Sequence, residues 1–423
     1  MIHPALFPAR VRMWKTFLPY QMRLLKVGLK SFRAHSDSLI EFAPKINLLH
    51  GPNGAGKTNV LEAIHYLCLT KSFLTGNDAH VLQRGARFFE VEGNFEGEHR
   101  ASLVVRLAYV PSEGKRMFRN GAQLERLAEI VGELPLVILA PADHVLTDGG
   151  PEHRRRFLNA ALSQARPVYL DDLMKYRRAL KQRNALLQQL RRGGRLVPRM
   201  LDAWGEEFVQ LGARIIDSRR RFLEQFAGFL AEAYRLLHAV GEEPTMEYVT
   251  VADVQDAQDT EAIAEQFRMK LDGLAQREHE QGRTLAGPHR DEVVFRLGDY
   301  EVRPYASQGQ HRTVGLALRI ATFLYLRDRL EETPLLLLDD VFGNLDAQRA
   351  EVVLDLLNSD AVGQSFITAA RPEALAHLVR FGTSDHAAIE LANGMIVGAP
   401  RTSPQASSEE PAPESPPVVV ADG

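Results

Sequence analysis

Hydrophobic and polar positions change period several times along this chain, and each change marks an element. From Met22 the segments RLLKVGL, SDSLIEF and KINLLH alternate or cluster apolar residues in short runs expected of strands. The glycine-rich GPNGAGKT then interrupts, and NVLEAIHYLCL resumes with helical spacing. Between Phe88 and Leu107, FFEVEGNFEGEHRASLVVRL predicts antiparallel strands with glycine turns, and PLVILAPAD a short buried strand. The first part of the chain is therefore expected to be mixed α/β.

After Pro167 the pattern lengthens. Leu201, Trp204, Phe208, Leu211, Ile215 and Phe222 fall on alternating three- and four-residue steps, broken only by the polar Ser218. Leu173, Leu180 and Leu187 share a seven-residue interval, and RRGGR at Arg191 to Arg195 supplies a turn. Together these predict an antiparallel helical hairpin, a short coiled-coil-like arm; ordinary helices packed in a globular subdomain are the alternative. From Leu271 the α/β character returns, with strands at PLLLLDD and SFITAA. From Pro400 the chain is dominated by Pro, Ser and Glu and buries too little apolar area to order. The expected architecture is an α/β head of two lobes with a helical arm inserted. Its parts are an extension (1–21), a first lobe (22–150), the arm (151–270), the second part of the head (271–398) and a disordered tail (399–423). Because MRLLKVGLKSF at Met22 already reads as a first strand, the opening residues are taken as dispensable or as the product of an upstream start.

Composition narrows the class. With 423 residues, 45% of them hydrophobic, the chain can bury a sizeable core in two structural units. No apolar run approaches the roughly 20 residues of a membrane helix, and the first 21 residues lack the apolar core of a signal peptide. The single cysteine, Cys68, cannot form an internal disulfide, so a reducing, cytoplasmic setting is expected. A net charge of -3 excludes a wholly basic nucleic-acid binder, but the charge is segregated. Residues 151–221 hold 17 Lys and Arg against 7 Asp and Glu, whereas 242–265 hold 8 acidic residues and no Lys or Arg.

The candidate chemistry starts at Gly51, Pro52, Asn53, Gly54, Ala55, Gly56, Lys57 and Thr58. This G-x-x-x-x-G-K-[ST] loop lies between a strand and a helix, where glycines let successive amides turn onto phosphate oxygens and the helix N-terminus adds its dipole. Lys57 is expected to reach the β- and γ-phosphates of ATP and Thr58 to bind Mg²⁺. About 280 residues later an apolar strand ends in Asp339, a second Mg²⁺ ligand, and Asp340, placed to polarise the attacking water. The strand resembles that of ABC ATPases, which usually put a Glu at the place of Asp340 to polarise the attacking water, and the shorter carboxylate implies slow hydrolysis. Between them, Ser307, Gln308, Gly309 and Gln310 precede a long amphipathic helix, and Asn344, Leu345 and Asp346 follow the carboxylates.

This order resembles the SMC-like branch of the ABC ATPases: a phosphate loop, a long insert, an S-x-G-Q signature, a carboxylate strand and a D-loop. Within that branch it is most similar to the RecF family, which three more stretches match: SFRAHSDSLIEFAPKINLLHGPNGAGKTNVLEAI, GGPEHRRRFLN and LAGPHRDEVVF. The resemblance implies that Ser307, Gly309, Gln310 and Asp346 meet nucleotide held by a second copy. ATP would then join a homodimer that binds single- and double-stranded DNA at gaps and works with RecO and RecR mediators. Where transporter ATPases carry a switch histidine, this chain has Thr368, with Arg371 nearby. A transporter subunit and a nuclease-bearing relative are the rivals, and the basic insert and the absence of a further domain disfavour them. The basic insert nominates Arg154, Arg155, Arg156, Lys175, Arg177, Arg178, Lys181 and Arg183 as DNA-phosphate contacts, with Arg219 to Arg221 behind them. A solvated helix face is the alternative, or, for Arg154 to Arg156, a role in holding the lobes together. His289 and Arg290 are read as either structural or functional.

Overall fold

The computed structural model describes residues 20–97, 102–193, 198–237, 242–251, 259–370 and 384–397, without the side chains at 20, 198–204 and 344. The expected tail, residues 1–19 of the expected extension, Gly194 and Arg195 of the RRGGR turn, the Leu201 and Trp204 side chains and Arg371 lie outside the described residues.

Two six-stranded sheets face each other across the phosphate-loop helix Lys57–Leu69. One is antiparallel, in the order His35–Glu41, Arg23–Phe32, Phe89–Glu96, Leu103–Val110, Gly114–Arg119 and Ala122–Gln123. Its strands alternate buried and open positions, as Leu103–Val110 does throughout, because only one face meets the core. The other sheet runs Met395–Ile396, His386–Ala392, Ile46–His50, Ser365–Ala369, Leu335–Asp339 and Leu136–Leu139, with the last five strands mutually parallel. Those central strands are apolar in unbroken runs because helices and the first sheet cover both faces. Lys57–Leu69 is buried from Val60 to Leu69, which explains why NVLEAIHYLCL is apolar on nearly every side. Tyr20–Gln21, read from the sequence as part of an extension, pairs in parallel with Glu332–Thr333.

The helical insert is present as a paired Pro167–Arg191 and Pro198–Leu237, the latter 40 residues long. The heptad positions Leu173 and Leu187, and Phe208, Leu211, Ile215 and Phe222 of the seam, are buried. A third helix, Thr260–Gln281, covers the pair, and Pro198–Leu237 also packs on Gln308–Leu330 through Phe222, Phe226 and Tyr325. Both features of the sequence reading therefore meet here: a hairpin with a coiled-coil-like seam, and a base packed into the head. No helix among the described residues is long and apolar enough to cross a membrane.

Phe226 is fully buried against Phe157, Phe222 and Tyr325. Phe226→Ala is expected to lower stability by about 3–5 kcal/mol, read as a fall in the midpoint of equilibrium urea unfolding; an unchanged midpoint would mean that the helix does not need the head.

Candidate functional site

The carboxyl ends of the parallel strands converge on one edge of the sheet, the usual place for a ligand in such folds. Ile46–His50 runs into Gly51, and its neighbour Ser365–Ala369 sets Thr368 opposite both Leu49 and Asp339. The loop glycines are needed for different reasons. Gly51, Gly54 and Gly56 all have positive φ, at 140°, 81° and 99°. A Cβ on Gly51 would stand 2.1 Å from the Leu391 carbonyl and one on Gly56 2.7 Å from His35 Nε2, while the surroundings of Gly54 are open. The loop thus rests on His386–Ala392 and on a buried relay. His35 Nε2 meets the Gly56 carbonyl at 3.1 Å, its Nδ1 meets Ser38 Oγ at 3.1 Å, and Ser38 donates to the Gly394 carbonyl at 3.0 Å. Gly394 N–H donates in turn to the Ala55 carbonyl at 3.0 Å. Pro52, Asn53 and Gly54 are exposed, and Ala55 is buried beneath them.

Lys57 Nζ lies across the loop, donating to the carbonyls of Gly51 at 2.7 Å and Pro52 at 2.9 Å. Desolvation holds its ammonium below the ordinary lysine value, against the opposing pull of Asp340 and Asp339. Asp339 Oδ1 accepts from Thr58 Oγ1 and from Thr368 Oγ1, both at 2.8 Å, and Asp340 N–H donates to Thr368 Oγ1 at 2.9 Å. Asp340 is exposed beyond the buried Asp339, with φ of 47°. Thr58 and Asp339 are two hard oxygen donors within reach of each other, a pair that fits Mg²⁺ once phosphate oxygens and water complete the shell. No cluster of three or more His, Cys, Asp or Glu that could hold a metal occurs among the described residues, and a phosphate-assisted Mg²⁺ site needs none.

Ser307 caps Gln308–Leu330. Its hydroxyl accepts from Gln310 N–H at 3.2 Å while Gln310 Oε1 accepts from Ser307 N–H at 2.8 Å, a reciprocal capping box. Gln310 Nε2 donates to Tyr300 OH at 2.9 Å. Ser307 and Gly309 are exposed, and a Cβ on Gly309 would meet only Ser307 Oγ, at 3.9 Å. Among the described residues, nothing therefore requires glycine there. Asp346 caps Ala347–Asn358, accepting from Arg349 N–H at 2.9 Å, and that amide holds its carboxyl below the usual range.

The basic candidates separate. Arg154 is buried, bidentate to Glu292 at 2.6 and 2.7 Å, and donates to the Gly149 carbonyl. Arg183 is buried against Glu278 at 2.6 Å and Thr284 at 2.8 Å. Neither can reach a DNA phosphate, so both leave the set of contacts; their guanidinium groups hold elements together. Arg219, nominated as support behind the basic face, is a core residue paired with Asp291 at 2.6 Å. Arg155 is half-buried and donates to the Asp291 carbonyl at 2.8 Å. Lys175 is exposed and paired with Asp171 at 2.7 Å, while Arg156, Arg177, Arg178 and Lys181 are exposed.

The GGPEHRRRFLN and GPHRD stretches meet in one buried network. Asp291 accepts from Arg219, Tyr248 and Thr250, and Arg219 also donates to the Pro288 carbonyl and to Asn159. His289 Nδ1 is 2.7 Å from Tyr176 OH. Burial pushes His289 down to about 4, so it is neutral near pH 7. Sequence reasoning missed the His35–Ser38–Gly394 relay and the role of Thr368 between the two carboxylates. No motif spacing could have found them, since strand order alone brings residues up to 356 apart together.

Comparison with known proteins agrees with this geometry. The family model for the RecF/RecN/SMC N-terminal domain matches residues 22–385. The DNA replication and repair protein RecF of Salinibacter ruber is 51% identical, over 88% of this chain and 91% of its own. That of Chloroherpeton thalassium is 43% identical, over 82% and 94%. A solved structure of the recombination mediator protein RecF with ATP, in the RecFOR pathway, superposes with a TM-score of 0.81 at 28% identity, covering 90% of this chain and 98% of that one. An Smc head domain from Pyrococcus yayanosii shares the fold, with a TM-score of 0.51 at 13% identity, over 89% and 97%.

His65 is fully buried on the phosphate-loop helix, and burial pushes it down to about 4 from an ordinary 6.5. The unfolded chain therefore takes up a proton first as pH falls. The stability this histidine contributes is complete above pH 6.5 and is lost between pH 6.5 and 4, by about 3 kcal/mol. Unfolding free energies at pH 7 and pH 5 are expected to differ less in His65→Gln than in the wild type; equal differences would remove the assignment.

Proposed function

The chain belongs to the RecF family, a family of DNA replication and repair proteins built on the ABC-ATPase fold of SMC heads, and from that membership we propose that it is a nucleotide-controlled DNA clamp. It binds ATP with Mg²⁺, dimerises on it, holds single- and double-stranded DNA at gaps, hydrolyses slowly and hands the gap to RecO and RecR mediators in the cytoplasm.

The observation that carries this reading is Asp339 shared between Thr58 and Thr368 beside the phosphate loop, with the exposed Ser307 cap on a different helix. Lys57 would exchange the Gly51 and Pro52 carbonyls for the β- and γ-phosphates, and Thr58 and Asp339 would hold Mg²⁺. Bound Mg²⁺ supplies charge neutralisation on the phosphate oxygens. Asp340 would take the proton of the attacking water from its exposed position at the end of the strand. Its φ of 47° is a strained value for a residue with a side chain, and such values gather at functional sites. The open space over Gly309 suits a phosphate brought by a second copy, with the Ser307 hydroxyl and helix N-terminus facing it. Asp346 then stands near the same interface. Exposed Arg156, Arg177, Arg178 and Lys181, with Arg155 and Lys175 beside them, supply a salt-sensitive, sequence-independent contact to DNA.

Light scattering should show the mass double with ATP and Mg²⁺ in the wild type. Lys57→Ala should stay a monomer for want of nucleotide, and Ser307→Arg should bind ATP yet stay a monomer. A mass that never changes would refute the clamp. Asp340→Asn should slow hydrolysis on the order of 10²-fold or more while leaving ATP binding intact; an unchanged rate would move the base elsewhere.

A further inference from the structure

Beside the buried Arg219–Asp291 network the structure holds a cavity of about 190 Å³, whose lining includes Arg155, Arg156, Arg177, Tyr176 and His289. Its floor is neutral: His289 lies near 4 by burial, and Tyr176 is bonded to it. Asp291 is taken up by Arg219, Tyr248 and Thr250, and Glu292 by Arg154. The remaining acid on the lining, Glu152, folds back over Gly150 at the start of its own helix, where a Cβ on that glycine would meet its carboxylate. It also contacts His153. Arg155 has one N–H engaged, on the Asp291 carbonyl, and Arg156 and Arg177 are exposed at the mouth. Like charges from two helices, Arg155 and Arg156 on Pro151–Ala165 and Arg177 on Pro167–Arg191, thus converge around a small hollow, an arrangement that is unfavourable until an anion enters it.

We propose that this cavity is the seat of a single DNA-backbone phosphate, gripped by Arg155, Arg156 and Arg177 of the helical insert. The volume leaves room for a phosphate group. Guanidinium groups match phosphate oxygens through paired N–H donors.

The seat rests on the DNA-binding reading above and adds a stoichiometry to it. Binding of a gapped duplex is measured by fluorescence anisotropy over a series of salt concentrations. Losing one phosphate contact lowers the slope of log K against log salt by about 0.9. Arg156→Gln and Arg177→Gln should each produce nearly that whole change, and the double variant little more, because both serve the same phosphate. Arg156→Lys/Arg177→Lys should keep most of the slope, and ATP binding should be unaffected throughout. Slope changes that add to about 1.8 in the double variant would mean two separate phosphates, and an unchanged slope no contact; either overturns the seat while DNA binding stands. A wild type with no affinity for DNA would sink the DNA reading and the seat together. Titration of inorganic phosphate at constant ionic strength separates the other source: saturable binding lost in Arg156→Gln/Arg177→Gln, with DNA slopes unaltered, would make this a free-anion site and refute the proposal.

Discussion

One acceptor atom, Asp339 Oδ1, joins three distant pieces of chain. It receives the hydroxyl of Thr58, 281 residues away, and that of Thr368, 29 residues away, each at 2.8 Å. This meeting depends on strand register. Asp339 stands opposite Thr368, and Thr368 opposite Leu49, two positions before the phosphate loop. Side chains on a strand alternate faces, so a slip of one residue in either pairing would turn Thr368 or Asp339 to the opposite side of the sheet and dissolve the site. The unbroken burial of Leu335–Asp339 and Ser365–Ala369 does not by itself select a register, since both faces are apolar. The hydroxyl–carboxylate contacts help to do so, along with the Gln364 side chain. That side chain bonds Leu24 N–H and the carbonyls of Leu24 and Ala43, tying the parallel sheet to the antiparallel one.

A second buried centre orders the helical side. Desolvating Arg219 and Asp291 costs several kcal/mol per ion, and such a pair persists only when its remaining donors and acceptors are satisfied. Here they are: Asp291 also accepts from Tyr248 and Thr250, and Arg219 also reaches Asn159, Tyr169 and the Pro288 carbonyl. Through those contacts Pro151–Ala165, Pro167–Arg191, Pro198–Leu237 and the GPHRD turn share one set of hydrogen bonds. Gly287 fits this crowding, since with φ of 129° a Cβ there would fall 2.5 Å from Tyr176 OH. The alternatives left open for His289 and for Arg154 to Arg156 are thereby decided in part. Arg154 is structural, Arg155 is partly so, Arg156 remains exposed, and His289, bonded to Tyr176, also lines the cavity beside them.

What was legible in the sequence follows from how local each feature is. The phosphate loop, the Ser307 cap and the carboxylate strand are written in consecutive residues, because glycine conformations, capping boxes and apolar strand runs are near-neighbour effects. Helical periodicity likewise announced the seam through Phe208, Leu211 and Ile215. It could not show that the same helix carries a second apolar face toward Tyr325, because a helix buried from several sides loses a clean period. Charge was the least legible. Arg154, Arg183 and Arg219 look like Arg156 and Arg177 in a one-dimensional count, and their burial depends on Glu292, Glu278 and Asp291, which lie 138, 95 and 72 residues away. A run of arginines therefore states the number of cations and leaves open which are already neutralised.

The resting loop also limits how nucleotide can enter. Lys57 occupies the carbonyls of Gly51 and Pro52, so in the proposed role an arriving phosphate would compete with two hydrogen bonds for the same ammonium. The exchange favours phosphate because a charge-assisted bond to an anion is roughly twice as strong as one to a neutral carbonyl. Nothing else in the loop needs to move far: Gly51 and Gly56 are wedged against Leu391 and His35, and Thr58 already faces Asp339. The first half of the site is thus preorganised on the parallel sheet. Ser307 and Gly309, by contrast, sit on an exposed helix start, where among the described residues a Cβ on Gly309 would meet only Ser307 Oγ. Under the proposed reading, a site held in place at the phosphate loop and open at the Ser307 turn would leave that turn to be completed by a second copy.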